Sequence, residues 1–287
     1  MDSLRWDDLR TFLAVARSGS LTGAAEPLGV NPSTVHRRIA SLEDALGGTL
    51  FDRDPRGYAL TALGEALVPA AEEMEESALA LVRKARGHDR SASGPVWLTL
   101  PETLLTPIAP ALARVRQTCP GLRPIVRAED EVLSLGANVD LALRPSSQPP
   151  EHAIGRKVGA IAWAVYGPAG PPCDPPWITF AEGRGPQRAT AWRRRAHPGV
   201  DVLLEVTTVG AMHRVLACNR AQGLLPCYLG DPDGRLARHS PVITEATTDL
   251  WLLIHADLRR SARVRALVDL LAPALEELRP VFAGEPG

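Results

Sequence analysis

The sequence is poor in lysine, cysteine, aromatic residues and long apolar runs, and each shortage narrows the choice of protein class. Only Lys84 and Lys157 are lysines among 32 cations, so the positive charge is almost all arginine. Arginine suits bidentate contacts, although a GC-rich genome produces the same bias. The net charge is −1, and residues 1–60 hold seven arginines against eight acids, so gross electrostatics gives no sign of a nucleic-acid binder. A binding face needs only a few cations aimed at phosphates. Most of these acids (Asp2, Asp7, Asp8, Glu43, Asp44) are expected away from such a face. The four cysteines (Cys119, Cys173, Cys218, Cys227) form no Cys-x-x-Cys pair, and no histidine stands at ligand spacing from them. No metal site or disulfide framework is expected, only reduced and mostly buried thiols. The longest apolar runs, such as Ala160–Val165, fall far short of the ~18 residues of a membrane span. Residues 1–8 lack a basic start followed by an apolar core, so a cytoplasmic protein is expected. No Gly-x-Ser-x-Gly elbow, Walker loop or His-Glu-x-x-His occurs. Gly183–Arg188 mimics a dinucleotide fingerprint without its third glycine, and reads as a Gly/Pro loop. Neither an enzyme nor a cofactor is expected.

What is present fits about two domains in 287 residues. Leu9, Phe12, Leu13 and Ala16 mark a first helix, stopped by Ser18-Gly19-Ser20. Ser20 caps a second, Leu21–Leu28, which Pro27 should shorten or bend. After the turn Gly29-Val30-Asn31, Asn31 is a good N-cap and Pro32 a good first residue of a third helix. There Val35, Ile39, Leu42 and Leu46 fall on one narrow apolar stripe. Ser33, Arg37 and Ala40 point the opposite way, with Thr34, Arg38 and Ser41 on the flank. This pattern reads as helix-turn-helix, and a three-helix bundle with a solvated face would share it. Two short β-like runs, Leu50-Phe51 and Tyr58-Ala59-Leu60, then bracket a turn bearing Arg53 and Arg56. Such a wing can touch phosphate or the minor groove.

Thr61 caps a long helix, about Ala62 to Arg86, whose Leu63, Leu67, Ala70, Met74, Ala78 and Leu81 form a coiled-coil-like seam. With nothing obvious to cover it in its own small domain, the seam calls for a second copy of the chain, or for the chain's own C-terminal part. Gly87–Pro95 reads as a hinge. The remainder alternates strands and helices, the mark of an α/β domain. Strands are expected at Val96–Leu100, Pro124–Ala128, Val139–Leu143, Ala160–Tyr166, Trp177–Phe180, Val202–Val206, Leu224–Cys227 and Leu250–Ile254. Helices are expected at Thr103–Thr118, Arg188–Ala196, Val209–Ala221 and Ser261–Leu278. The divisions are 1–61, 62–93 and 94–287.

Residues 6–66 resemble the DNA-binding region of LysR-type transcriptional regulators. The resemblance is carried in fixed order by Leu9–Ala16, Gly19-Ser20-Leu21, Ala24-Ala25, Leu28-Gly29-Val30, Ser33-Thr34-Val35, Arg37-Arg38-Ile39, Leu42-Glu43, Leu46-Gly47, Leu50–Arg53, Leu60-Thr61 and Gly64-Glu65. Asp140–Arg144, Ala221–Pro226 and Arg263–Leu267 are similar to strings of that family's effector domain. The resemblance implies a winged helix-turn-helix, a dimerising linker helix and a two-lobed domain like periplasmic binding proteins. It also implies pairing of dimers into tetramers, a small molecule in the cleft, recruitment of RNA polymerase by an activator, and action at the bacterial nucleoid. His36, Pro27 and the short stretch Glu129–Val139 depart from the family pattern.

On DNA, Arg37 can pair bidentately with guanine, Ser33 and Thr34 can bond base or phosphate, and Pro32 can make apolar contact. Arg38, on the flank, suits phosphate, as do Arg53 and Arg56 on the wing. A dimer reading a pseudo-palindromic double-stranded operator is expected. In the cleft, Thr103 and the pair Thr207-Thr208 precede or open helices whose free N–H groups favour an anion, with Arg144 as counter-charge. These residues point to a small acidic metabolite. Against this, the threonines can be plain helix caps and Arg144 a surface cation. Two further readings stay open: a DNA-binding oligomeric scaffold without ligand, and an enzyme or solute-binding module with a DNA-binding tail.

Overall fold

In the computed structural model, which describes residues 5–54, 57–87, 91–129, 139–149, 153–170, 175–218 and 220–285, three helices open the chain. They are α1 (Trp6–Ser18), α2 (Leu21–Leu28) and α3 (Pro32–Leu46). The Ser20 hydroxyl accepts from Gly23 N–H at 3.0 Å and caps α2 as expected, and Pro27 falls in the last turn without breaking it. Asn31 caps α3 without its side chain, accepting Thr34 and Val35 N–H through its backbone carbonyl instead. A hairpin follows, β1 (Phe51–Asp54) paired with β2 (Gly57–Leu60). It is fastened to the α1–α2 turn: Tyr58 N–H donates to Gly19 O at 2.9 Å. Gly57, at φ 138°, sits so close to that carbonyl that a Cβ would lie 2.4 Å from it, so glycine is required there.

The first core joins Phe12, Leu13 and Val15 of α1, Ala24 and Ala25 of α2, and Val35, Ile39 and Leu42 of α3 to Leu50 and Phe51. Leu46 departs from the expected stripe. It is 40% exposed, because the last turn of α3 runs past the elements that cover the rest.

Helix α4 (Ala62–Gly87) starts where expected, with the Thr61 hydroxyl accepting from Gly64 N–H at 3.1 Å. Its first half does find cover in its own domain: Ala71 is buried, and Leu67 and Val68 pack on the first core. The chain divides into two compact units at Val82 and Arg83, inside this helix. Residues 88–90 of the expected hinge lie outside the described residues.

The second unit carries β3 (Gly94–Leu100), α5 (Glu102–Thr118), β4 (Leu122–Ala128), β5 (Leu141–Pro145), β6 (Ala153–Ile161), β7 (Trp163–Pro168), β8 (Trp177–Phe180), α6 (Gln187–Ala196) and β9 (Val202–Val206). It continues through α7 (Val209–Leu216), β10 (Gly223–Pro226), α8 (Cys227–Gly230), β11 (Leu236–Arg238), β12 (Thr248–His255), α9 (Ala262–Glu277) and α10 (Arg279–Ala283). One lobe is built on a five-stranded sheet, order β4-β3-β5-β12-β6, in which β3 runs parallel to β4 and β5 and β12 runs antiparallel to β5 and β6. The other has the sheet β10-β7-β11 and the parallel pair β8-β9, joined by a bridge between Trp177 and Gln222. One apolar core runs through both lobes.

Two expectations are corrected. Ala160–Tyr166 is not one strand. At Ala162, whose N–H donates to Phe282 O at 2.8 Å, the chain leaves the first sheet for the second. An apolar run buried from Ile161 onward has no periodicity that shows this break. Helix Val209–Ala221 stops at Leu216, because Gln222 pairs with β8: its N–H donates to Pro176 O and its carbonyl accepts Ile178 N–H. The thiols also differ from expectation. Cys227 is buried, but Cys119 is half-buried and Cys218 exposed, and Cys173 lies outside the described residues. Trp163 is core and Trp192 half-buried.

The second lobe is pinned by Asp233, which accepts from Arg235 Nη2 at 2.7 Å and Nε at 2.9 Å and lies 2.9 Å from His213 Nε2. Arg235 above all, with help from its own N–H and from His213, holds the Asp233 carboxyl well below the usual carboxylate range. A carboxylate depressed in the folded state stabilises above its unfolded pKa, about 3.9, and loses that contribution as pH falls further. Asp233→Asn is therefore expected to melt below the parent at pH 7, with the gap narrowing below about pH 4. Calorimetry across pH 3–7 checks this.

Candidate nucleic-acid interface and effector cleft

Burial of Val35, Ile39 and Leu42 fixes which side of α3 meets solvent. Pro32, Ser33, His36, Arg37 and Ser41 are exposed, and Thr34, Arg38 and Ala40 are half-buried. Arg37 thus stands on the outer face, where base edges would be read. Arg38 does not stand free. Its Nη2 lies 3.6 Å from Asp7 Oδ2 on α1. Asp7, expected away from the reading end of this helix, lies beside its Arg38 flank, where the fold lays the first turn of α1. The pair is partly exposed, so it orients Arg38 more than it stabilises the domain. Arg53 lies on β1 opposite Tyr58, and Arg56 falls outside the described residues.

In the second unit the N-termini of α5 and α7 face each other. A Cβ on Gly210 would lie 3.7 Å from Glu102 Oε2 and 3.8 Å from Thr103 Cγ2. The helix N-terminus carries partial positive charge, so the Glu102 carboxylate is well placed against α7. Thr103 is not a cap: Pro101 holds that position, and the Thr103 hydroxyl sits 2.7 Å from the Tyr228 hydroxyl, tying α5 to α8. Thr208 is a cap, accepting from Ala211 N–H at 3.1 Å, while Thr207 is exposed and does not cap α7. Arg144 is half-buried near the end of β5, and its Nη2 donates to Thr99 Oγ1 at 3.3 Å. Burial lowers its guanidinium pKa from the usual value, with Glu129 acting against that shift.

The structure thus gathers Thr103 and Thr208 at one place and sets Arg144 at the same end of the sheet, since β3 and β5 are parallel and β3 leads into α5. Sequence reasoning missed Tyr228 and Thr99. Thr99 carried a signal, a polar residue inside the apolar run Val96–Leu100, whereas Tyr228 carried none. A small recess bounded by Trp177, Phe180, Thr190, Arg193 and Met212 lies within the second lobe.

A winged helix-turn-helix followed by a two-lobed α/β domain defines a class of DNA-binding regulators. Residues 6–65 match the family model described as a bacterial regulatory helix-turn-helix protein of the lysR family, and residues 89–276 match the LysR substrate binding domain. The chain is 25% identical over 294 residues to the probable HTH-type transcriptional regulator LtrA of Klebsiella pneumoniae, covering 94% of this chain and 95% of that protein. It is 25% identical over 281 residues to the Mau operon transcriptional activator of Paracoccus denitrificans, covering 96% and 98%. The full-length structure of the Vibrio cholerae virulence activator AphB shares the fold, with a TM-score of 0.52 and 18% identity over 93% of this chain and 98% of that one. The chain belongs to the LysR family of transcriptional regulators, with a DNA-binding helix-turn-helix and an effector-binding domain, and is not an enzyme. No helix among the described residues is long and apolar enough to cross a membrane.

Removing the negative charge beside Arg38 frees that guanidinium and lowers repulsion of phosphate. Asp7→Asn is expected to tighten binding to duplex DNA a few-fold and to steepen its salt dependence, as read by fluorescence anisotropy over a salt series.

Proposed function

We propose that α3 enters the major groove of a pseudo-palindromic operator, with Arg37 reading guanine and Ser33, Thr34 and Pro32 contacting neighbouring bases or phosphates. Arg38, Arg53 and Arg56 hold the phosphate backbone. The observation that carries this is the division of α3 itself: Val35, Ile39 and Leu42 buried, Ser33 and Arg37 exposed. The division of labour runs 1–61 for DNA, 62–93 for linkage and 94–287 for sensing. Met74 at the middle of α4, 46% exposed, and Leu81 beyond it, 72% exposed, leave an uncovered apolar face. Its natural cover is the same helix of a second copy, giving a dimer that pairs further into a tetramer. The effector is a small acidic metabolite seated between Thr103, Thr208 and Arg144, with Thr207 at the rim, and it must displace or neutralise Glu102. The protein works in the cytoplasm at the nucleoid, and recruits RNA polymerase where it activates.

Arg37→Ala is expected to abolish preference for duplexes selected by the parent protein from a random pool, while circular dichroism and oligomeric state stay unchanged. A lost bidentate contact is worth about 1–3 kcal/mol, roughly 5- to 150-fold. Unchanged selectivity in competition gel shifts would refute the assignment. Met74→Glu with Leu81→Glu is expected to reduce the oligomer to a smaller species in light scattering. An unchanged mass would remove α4 from the interface.

A further inference from the structure

We propose that Arg17 is a positioning residue for operator recognition. By clasping Glu72 and Glu75 of α4 it fixes the angle at which that helix leaves the DNA-binding unit, and so the gap between half-sites that a dimer accepts. The proposal rests on the dimer reading above and adds to it the residue that sets its geometry.

The root of α4 is pinned by close packing. Thr61 N–H donates to Leu50 O at 3.0 Å, and a Cβ on Gly64 would lie 2.3 Å from that same carbonyl, so the first turn of the helix lies directly against the residue that precedes β1. Leu67, Val68 and Ala71 then lie on the first core, and Ala71 is the last α4 residue in it among the described residues. One turn further on, Arg17 Nη2 donates to Glu75 Oε2 at 2.7 Å and lies 3.5 Å from Glu72 Oε1. Residues three apart share one face of a helix, so a single guanidinium spans both carboxylates. Arg17 stands in the last turn of α1, two positions before Gly19, whose carbonyl holds the wing through Tyr58 N–H. One end of α1 therefore mounts both the wing and the linker helix.

A partly exposed ion pair adds little to stability. Its leverage here is geometric. At about 1.5 Å per residue, the 26 residues of α4 span about 39 Å. A tilt of about 5° at the root carries the far end of such a helix about 3.4 Å, the rise of one base pair. Apolar contact at Leu67, Val68 and Ala71 is non-directional, whereas a guanidinium bonded to carboxylate has a preferred direction. The clasp therefore restricts a tilt that the core alone tolerates.

The experiment uses the full-length protein and a pool of duplexes carrying two inverted copies of the half-site selected by the parent, with gaps covering roughly 15 base pairs, about one and a half turns. Sequencing of the bound fraction gives the gap preference, and the parent is expected to favour one gap over its neighbours. Arg17→Gln, and separately Glu72→Gln with Glu75→Gln, are expected to flatten that preference several-fold while keeping the parent's mass in light scattering. The two variants change local charge in opposite directions, so Arg17→Gln is expected to weaken binding to a single half-site and the glutamate pair to tighten it. An Arg17 that only held a phosphate would give these affinity changes with the gap preference intact. A preference that stays sharp in either variant overturns the clasp and leaves the dimer standing. A flattened preference with a lowered mass also overturns it, because assembly rather than angle has then failed. A parent with no gap preference overturns the dimer reading and this proposal with it.

Discussion

The proposed reading of DNA depends on the burial of three side chains, Val35, Ile39 and Leu42, in one core with the first two helices and the hairpin. Their removal from water fixes the rotation of α3 about its own axis. Apolar burial has no directional preference of its own, yet spaced at helical intervals it aims every other residue on the helix. Arg37 faces outward because those three face inward. The same constraint decides the flanks: Arg38 falls beside Asp7, and His36 falls beside the wing. The hairpin's attachment to the Gly19 carbonyl then fixes the wing beside α3.

The effector unit obeys a different constraint. Its two sheets are joined by the crossing at Ala162 and the return between β11 and β12, so the lobes share a core while their helix ends meet across a seam. At that seam several polar groups already hold partners. Thr103 bonds Tyr228, Thr208 caps α7, Arg144 bonds Thr99, and Glu102 faces the end of α7. A ligand placed there, as proposed above, would gain only by exchanging contacts, and the net of such an exchange is small beside its gross terms. This suits a sensor that must respond to changing concentration.

Much of this was legible beforehand. The apolar stripe of α3, the Ser20 and Thr61 caps and the glycine stops give local signals that tertiary packing reinforces, so the helix-turn-helix and the start of α4 emerge from the sequence with their residues. Failures fall where local and global signals part. The run Ala160–Val165 is apolar throughout and carries no mark of the crossing at Ala162. The end of α7 is set by Gln222 pairing with a distant strand, which no nearby residue announces. Asp7 lies beside Arg38 because α1 packs across α3, a contact 31 positions apart in sequence. The outward face of Arg37 was readable from spacing. The occupancy of Arg38 and of the cleft threonines was not, because hydrogen-bond partners are set by the fold as a whole.

The outer face of α3 has one more consequence, in the chemistry of modification. Its cations are arginines, and the entire unit Met1–Val82 contains no lysine. Acetyl transfer, which neutralises ammonium groups, therefore has no target side chain there, and a guanidinium keeps its charge across the whole physiological range. Apart from its single histidine, this surface carries a permanent positive complement, so metabolic acyl donors have no side-chain route to erase it.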